Sequence, residues 1–66
     1  MVRYEVKLNA WTESVLVEAR SAKAAAAVAE LAYPSCDCCG STTFAEWTTK
    51  TDRKPRIHES VLLEVS

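Results

Sequence analysis

Val2, Tyr4, Val6 and Leu8 alternate with Arg3, Glu5 and Lys7. This period of two predicts a half-buried strand. A second strand is predicted where Glu13, Val15, Val17 and Ala19 alternate with Ser14, Leu16 and Glu18. The residues between, 9–12, form the loop of a hairpin. A two-residue turn at Asn9 and Ala10 would pair Leu8 with Trp11. A four-residue loop would pair Arg3 with Glu18 and leave Trp11 at the tip. Ala10 fits poorly where a tight turn wants Gly, which favours the longer loop.

The period then changes. Ser21 is placed to accept hydrogen bonds from the first free N–H groups of a helix, which runs over 22–33 and ends at Pro34. Ala24, Ala25, Val28, Leu31 and Ala32 make its apolar stripe. Alanine is thin, so the helix can lie close to a sheet. Lys23 in the first turn and Glu30 near the last oppose the helix dipole, at a cost of about a few tenths of a kcal/mol each when exposed. They read as surface drift or as charges that a partner surface recognises.

Residues 34–42 carry Pro, Ser, Cys, Asp and Gly and predict a loop. Residues 42–50, rich in Thr, Phe and Trp, predict a third strand. Residues 51–56 read as a polar turn containing Pro55. Ile57, Val61, Leu63 and Val65 alternate with His58, Ser60, Leu62 and Glu64 to give a fourth strand, its apolar face broken once by Glu59. The order β-β-α-β-β predicts a small two-layer α+β domain, a four-stranded antiparallel sheet with one helix packed on one face. Val2, Tyr4, Val6, Leu8, Val15, Val17, Val61, Leu63 and Val65 are expected to face the helix. Leu16 and Leu62 are expected to point the other way. Phe44 and Trp47 have opposite parity, so one of them joins Leu16 and Leu62 on the outer face.

Length and composition narrow the classes. A chain of 66 residues is one domain, 1–66, with little room for a deep pocket. It is 48% hydrophobic and 26% charged, with one Gly and two Pro, an ordinary globular composition. The net charge of −1 argues against a domain built to coat nucleic acid. No apolar run approaches the roughly 20 residues of a membrane span. The first residues alternate polar with apolar and lack the continuous apolar stretch of a signal peptide. Three Cys cannot all pair within one chain. The expectation is a cytoplasmic protein with no membrane partner.

Cys36 and Cys39 form a C-x-x-C-G segment with Gly40. Two thiolates at that spacing can grip one Zn²⁺, and the segment resembles a zinc-ribbon knuckle over 36–40 alone. Four ligands are normal for a structural zinc site. Beyond Cys36 and Cys39 only Cys38, adjacent to Cys39, and His58 remain, and a second C-x-x-C is absent. A redox pair would need a βαβ context that is missing. A thiol enzyme using His58 would need a cleft and an orienting group. The simpler reading has the thiols filling space at the helix end, with no cofactor bound, and His58 solvated.

Lys50, Arg53, Lys54 and Arg56 stand against one acid, Asp52, within 50–56, a segment charge of +3. This basic turn could meet phosphates or an acidic protein surface. No aromatic lies within it to stack on bases. Leu16, Leu62 and either Phe44 or Trp47, rimmed by Arg3, Glu5, Lys7, Glu18 and Glu64, make a candidate apolar contact face.

No phosphate-binding glycine loop, paired-carboxylate or Ser-His-Asp pattern is present. The reading is therefore a non-enzymatic protein-interaction module. It would dock through the sheet face (Leu16, Leu62, Phe44, Trp47), the Trp11 loop or the basic turn (Lys50, Arg53, Lys54, Arg56) onto a larger macromolecule, a protein first, or onto a second copy of itself. Size and composition suit an accessory or inhibitor protein of the kind that bacterial viruses and mobile elements encode. The alternative is a zinc-stabilised nucleic-acid-binding module using Cys36, Cys39 and the basic turn.

Overall fold

A computed structural model describes residues 1–33 and 43–64. Strands β1 (Val2–Leu8) and β2 (Val15–Ala19) are followed by helix α1 (Ala22–Ala32), β3 (Ala45–Lys50) and β4 (Val61–Leu63). The domain is α+β, one helix packed on a four-stranded sheet of order β3-β1-β2-β4.

The hairpin follows from its alternation. β1 and β2 pair antiparallel with Arg3 opposite Glu18, the register of the longer loop, and Trp11 sits in that loop. An Arg3–Glu18 ion pair of 3.1 Å fastens the same register. Ser21 caps the helix as its residue type predicts, its Oγ accepting from Ala24 N–H at 3.2 Å. Ala25 and Ala29 are buried against Val6, Leu8, Val17 and Ala19. Methyl-only contacts let the helix approach the pleat closely.

The sheet is mixed, and this corrects the all-antiparallel expectation. β3 pairs antiparallel with β1, but β4 runs parallel to β2 at the opposite edge. β3 and β4 are therefore not a hairpin. The turn expected over 51–56 and residues 57–60, expected to begin the fourth strand, instead form one connection that crosses from one edge to the other. It crosses on the face away from the helix: the outward-facing Arg3 side chain donates to the Arg53 carbonyl at 3.2 Å, and the Arg53 guanidinium reaches the outward-facing Glu5. A return crossover on the opposite face has the same hand as the helical crossover, as the handedness of parallel connections requires.

The pairing with β2 reverses three expected orientations, those of Val61, Leu62 and Leu63. Val61, expected to face the helix, lies opposite Leu16 on the outer face, and Val65 lies outside the described residues. Leu16 alternates with the helix-facing Val17, so it does point to the outer face. It is nonetheless fully buried there, beside its cross-strand partner Glu5, which Arg53 of the 51–60 strap grips over that face. Leu62 lies opposite Val17 and packs on the helix-side core, whereas Leu63, opposite Glu18, is on the outer side and 61% exposed. The register against β2 inverts the parity that the apolar alternation of Val61 and Leu63 suggested.

Glu30 has a structural partner rather than the random surface placement its position suggests. Its carboxylate accepts Ala45 N–H at 2.9 Å. The register slips between Lys7 and Leu8, with Trp47 opposite Lys7 and Ala45 opposite Leu8, so Glu46 is the extra residue of a bulge. A bulge disrupts the local ladder, and the helix side chain supplies the acceptor.

Candidate functional site

β1 runs toward the hairpin loop, β2 runs back, and α1 returns alongside β2. The hairpin tip and the helix C-terminus therefore meet at one end of the domain. There Trp11 and Tyr33 pack edge to face, ring centroids 5.1 Å apart and planes at 62°. This geometry suits the ring quadrupoles. Tyr33 is held at the helix end by its N–H bond to the Ala29 carbonyl at 3.1 Å. The strap climbs to the same end before entering β4. Its residues Arg56, Ile57, His58 and Glu59 close a groove of about 500 Å³ whose other walls are Trp11, Glu13, Val15 and Tyr33. Ile57 is 94% exposed and Trp11 48%. The rim pair Arg56–Glu13 is 3.7 Å apart.

A clasp of charges holds the strap that carries Ile57. Arg53 grips Glu59 with both terminal nitrogens, at 2.6 and 3.1 Å, and its Nε donates to Glu5 at 3.1 Å. Ser14 Oγ donates to the same Glu5 oxygen at 2.7 Å. Arg56 N–H donates to Glu59 Oε1 at 3.1 Å, and Glu59 N–H returns a bond to the Arg56 carbonyl at 3.0 Å. The Ser14 hydroxyl, helped by Arg53, holds the Glu5 carboxyl below the usual carboxylate range. Arg53 does the same for Glu59, with the Arg56 N–H adding to it. The two carboxylates push the Arg53 guanidinium further above its ordinary value, Glu59 first.

The clasp redistributes the residues picked from sequence. Trp11 and Arg56 reach the groove. Arg53 is turned inward on two carboxylates, so it is not a free charge of a basic turn. Lys50 and Lys54 are exposed, with no ion pair among the described residues. Leu16 and Leu62 are separated onto opposite faces. Trp47 is exposed on the outer face opposite Lys7, and Phe44, also exposed, lies just before β3 with its N–H on Asn9 Oδ1 at 3.0 Å. Both belong to the β3 edge, away from β4. His58 lines the groove and is exposed. Cys36, Cys38 and Cys39 lie outside the described residues. Among those described, no group of three or more His, Cys, Asp or Glu is placed to hold a metal ion.

Tyr33, Val15 and Ile57 were missed as groove residues. A signal existed for Tyr33: in a β-β-α unit the hairpin tip and helix end share one pole. Ile57 could be placed only with the strap.

Fold and groove together define a small α+β domain with a mixed four-stranded sheet and an aromatic cleft whose charged rim is ion-paired. No family model, curated protein or solved structure matches the chain. Among the described residues no helix is long and apolar enough to cross a membrane.

Proposed function

We propose that this chain is a small non-enzymatic interaction module of the cytoplasm, an accessory or inhibitor protein that docks onto a larger protein through the Trp11–Tyr33–Ile57 groove. The carrying observation is Ile57, 94% exposed on a strap clasped in place beside two aromatic rings. An apolar side chain exposed to water next to Trp and Tyr has the composition of an interface centre. The surrounding charges are paired, which suits the apolar side chains of a protein more than phosphates. With Arg53 and Arg56 committed to carboxylates, Lys50 and Lys54 alone would hold a nucleic acid only in low salt.

Ile57→Glu tests this reading. Wild type and variant serve as baits in an extract of the cells that make the protein, with quantitative mass spectrometry. The expected result is a partner at least about tenfold depleted on the variant, consistent with loss of a hot-spot residue, with the circular dichroism unchanged. Equal capture of every protein by both baits removes the groove as the docking site.

A further inference from the structure

The two edges of the sheet are guarded differently. The β3 edge carries the Glu46 bulge, the Lys7–Glu46 ion pair at 3.4 Å and Lys50, features that discourage strand addition. Among the described residues the β4 edge, Val61–Leu63, has none of these. Its nearest charge, Glu64, is neutralised by Arg20 at 3.0 Å. Beside it an apolar groove of about 370 Å³ runs between strand and helix, lined by Val28, Leu31, Ala32, Leu62 and Leu63, with Leu31 81% exposed.

The ladder dictates how this edge can be used. Glu64 N–H donates to the Glu18 carbonyl at 3.0 Å. Bonding groups alternate along a parallel strand, so Val61 and Leu63 turn their N–H and C=O groups outward. They are two residues apart. An antiparallel register centred on Leu62 therefore sets Val61 of one copy against Leu63 of the other, twice, and satisfies all four outward groups of each strand. It sets Glu64 against Ser60, so no like charges meet.

We propose that this chain forms a two-fold homodimer by antiparallel pairing of β4 with β4, joining two sheets into one of eight strands and covering Leu31 and Leu63. The occupant is a second copy because the edge is neutral and self-complementary, as a two-fold interface must be. A stable interface covers about 800 Å² on each partner, roughly a sixth of the 4606 Å² that the chain exposes. A three-residue strand cannot supply this alone, so the proposal requires the Leu31 flank of the helix to take part.

Sedimentation equilibrium of the purified full chain, with no partner present, tests the proposal. Leu63→Pro removes an outward N–H that the chain's own ladder does not use, and Leu31→Glu charges the flank without touching the ladder. The expected result is a wild-type dimer, with dissociation constants raised at least about tenfold in both variants. If Leu63→Pro perturbs the fold, Leu31→Glu decides. Ile57→Glu, in the other groove, is expected to leave the dimer unchanged. A wild-type monomer at every concentration, leaving the edge to a different chain, overturns the proposal. So does a dimer that Leu31→Glu leaves intact.

Discussion

Leu16→Lys is expected to abolish the folded state, or nearly so, while Leu63→Lys in dilute protein is expected to leave the fold intact. Leu16 is fully buried between sheet and strap, and Leu63 is mostly exposed on the same face one pleat further along β4. Removing a buried leucine side chain costs about 2–5 kcal/mol. Enclosing an unpaired ammonium adds several more, unless the strap lifts to let it out. A domain of this length has only about 3–10 kcal/mol in total. The Leu63 change is a surface substitution worth about 0.5 kcal/mol or less. Thermal unfolding followed by circular dichroism separates the two. The all-antiparallel arrangement reverses the order of harm, because it turns Leu63 toward the helix and Leu16 toward water.

The second large effect falls on the clasp. Arg53→Met leaves Glu5 and Glu59 facing each other with little solvent and no cation between them; their side chains are 24% and 14% exposed. Breaking a fully buried pair costs about 3–5 kcal/mol, and partial exposure discounts this to about 2 kcal/mol. For so small a domain the melting temperature falls by roughly 10 °C.

The pH dependence follows from the direction of the carboxylate shifts. Both folded-state pKa values lie below their unfolded ones. Their contribution is therefore fully present above about pH 4.3, the ordinary glutamate value, and is lost as pH falls through the folded values. In Arg53→Met the part due to Arg53 is gone, while Ser14 still donates to Glu5 and the Arg56 N–H still donates to Glu59, so wild type and variant differ only by the Arg53 part. The gap in melting temperature between wild type and variant should be full at pH 7 and close on acidification below about pH 4. A gap that persists unchanged at low pH would mean that the loss comes from packing and not from the ion pairs.

The first half of the molecule was legible because its signals are local. Alternation located β1 and β2, the poor fit of Ala10 to a tight turn favoured the register found over its alternative, and Ser21 marked the helix start. The second half was misread because its determinants are distant. β4 has three residues, too few for alternation to separate Leu62 from Leu63 as the buried one. Its partner is β2, 45 residues earlier in the chain, and nothing local reports that choice. The basic turn was a charge count, and a charge count cannot tell a solvated guanidinium from one gripped by Glu5 and Glu59. Glu30 looked misplaced on its own helix because its acceptor role belongs to β3. In each case a contact long in sequence overrode a short-range rule.

The docking groove exists only if the strap crosses the outer face, since the crossing carries Ile57 up to Trp11 and closes over Leu16. The most direct measurement is a methyl-resolved NOE spectrum of the wild-type protein with a soluble paramagnetic agent added afterwards. The expected result is cross-peaks from the Leu16 methyls to side-chain protons of residues 53–59. The same methyls should resist the agent while Ile57 is strongly broadened. Leu16 methyls that lack those cross-peaks and broaden as much as Ile57 would contradict the strap, and the groove with it.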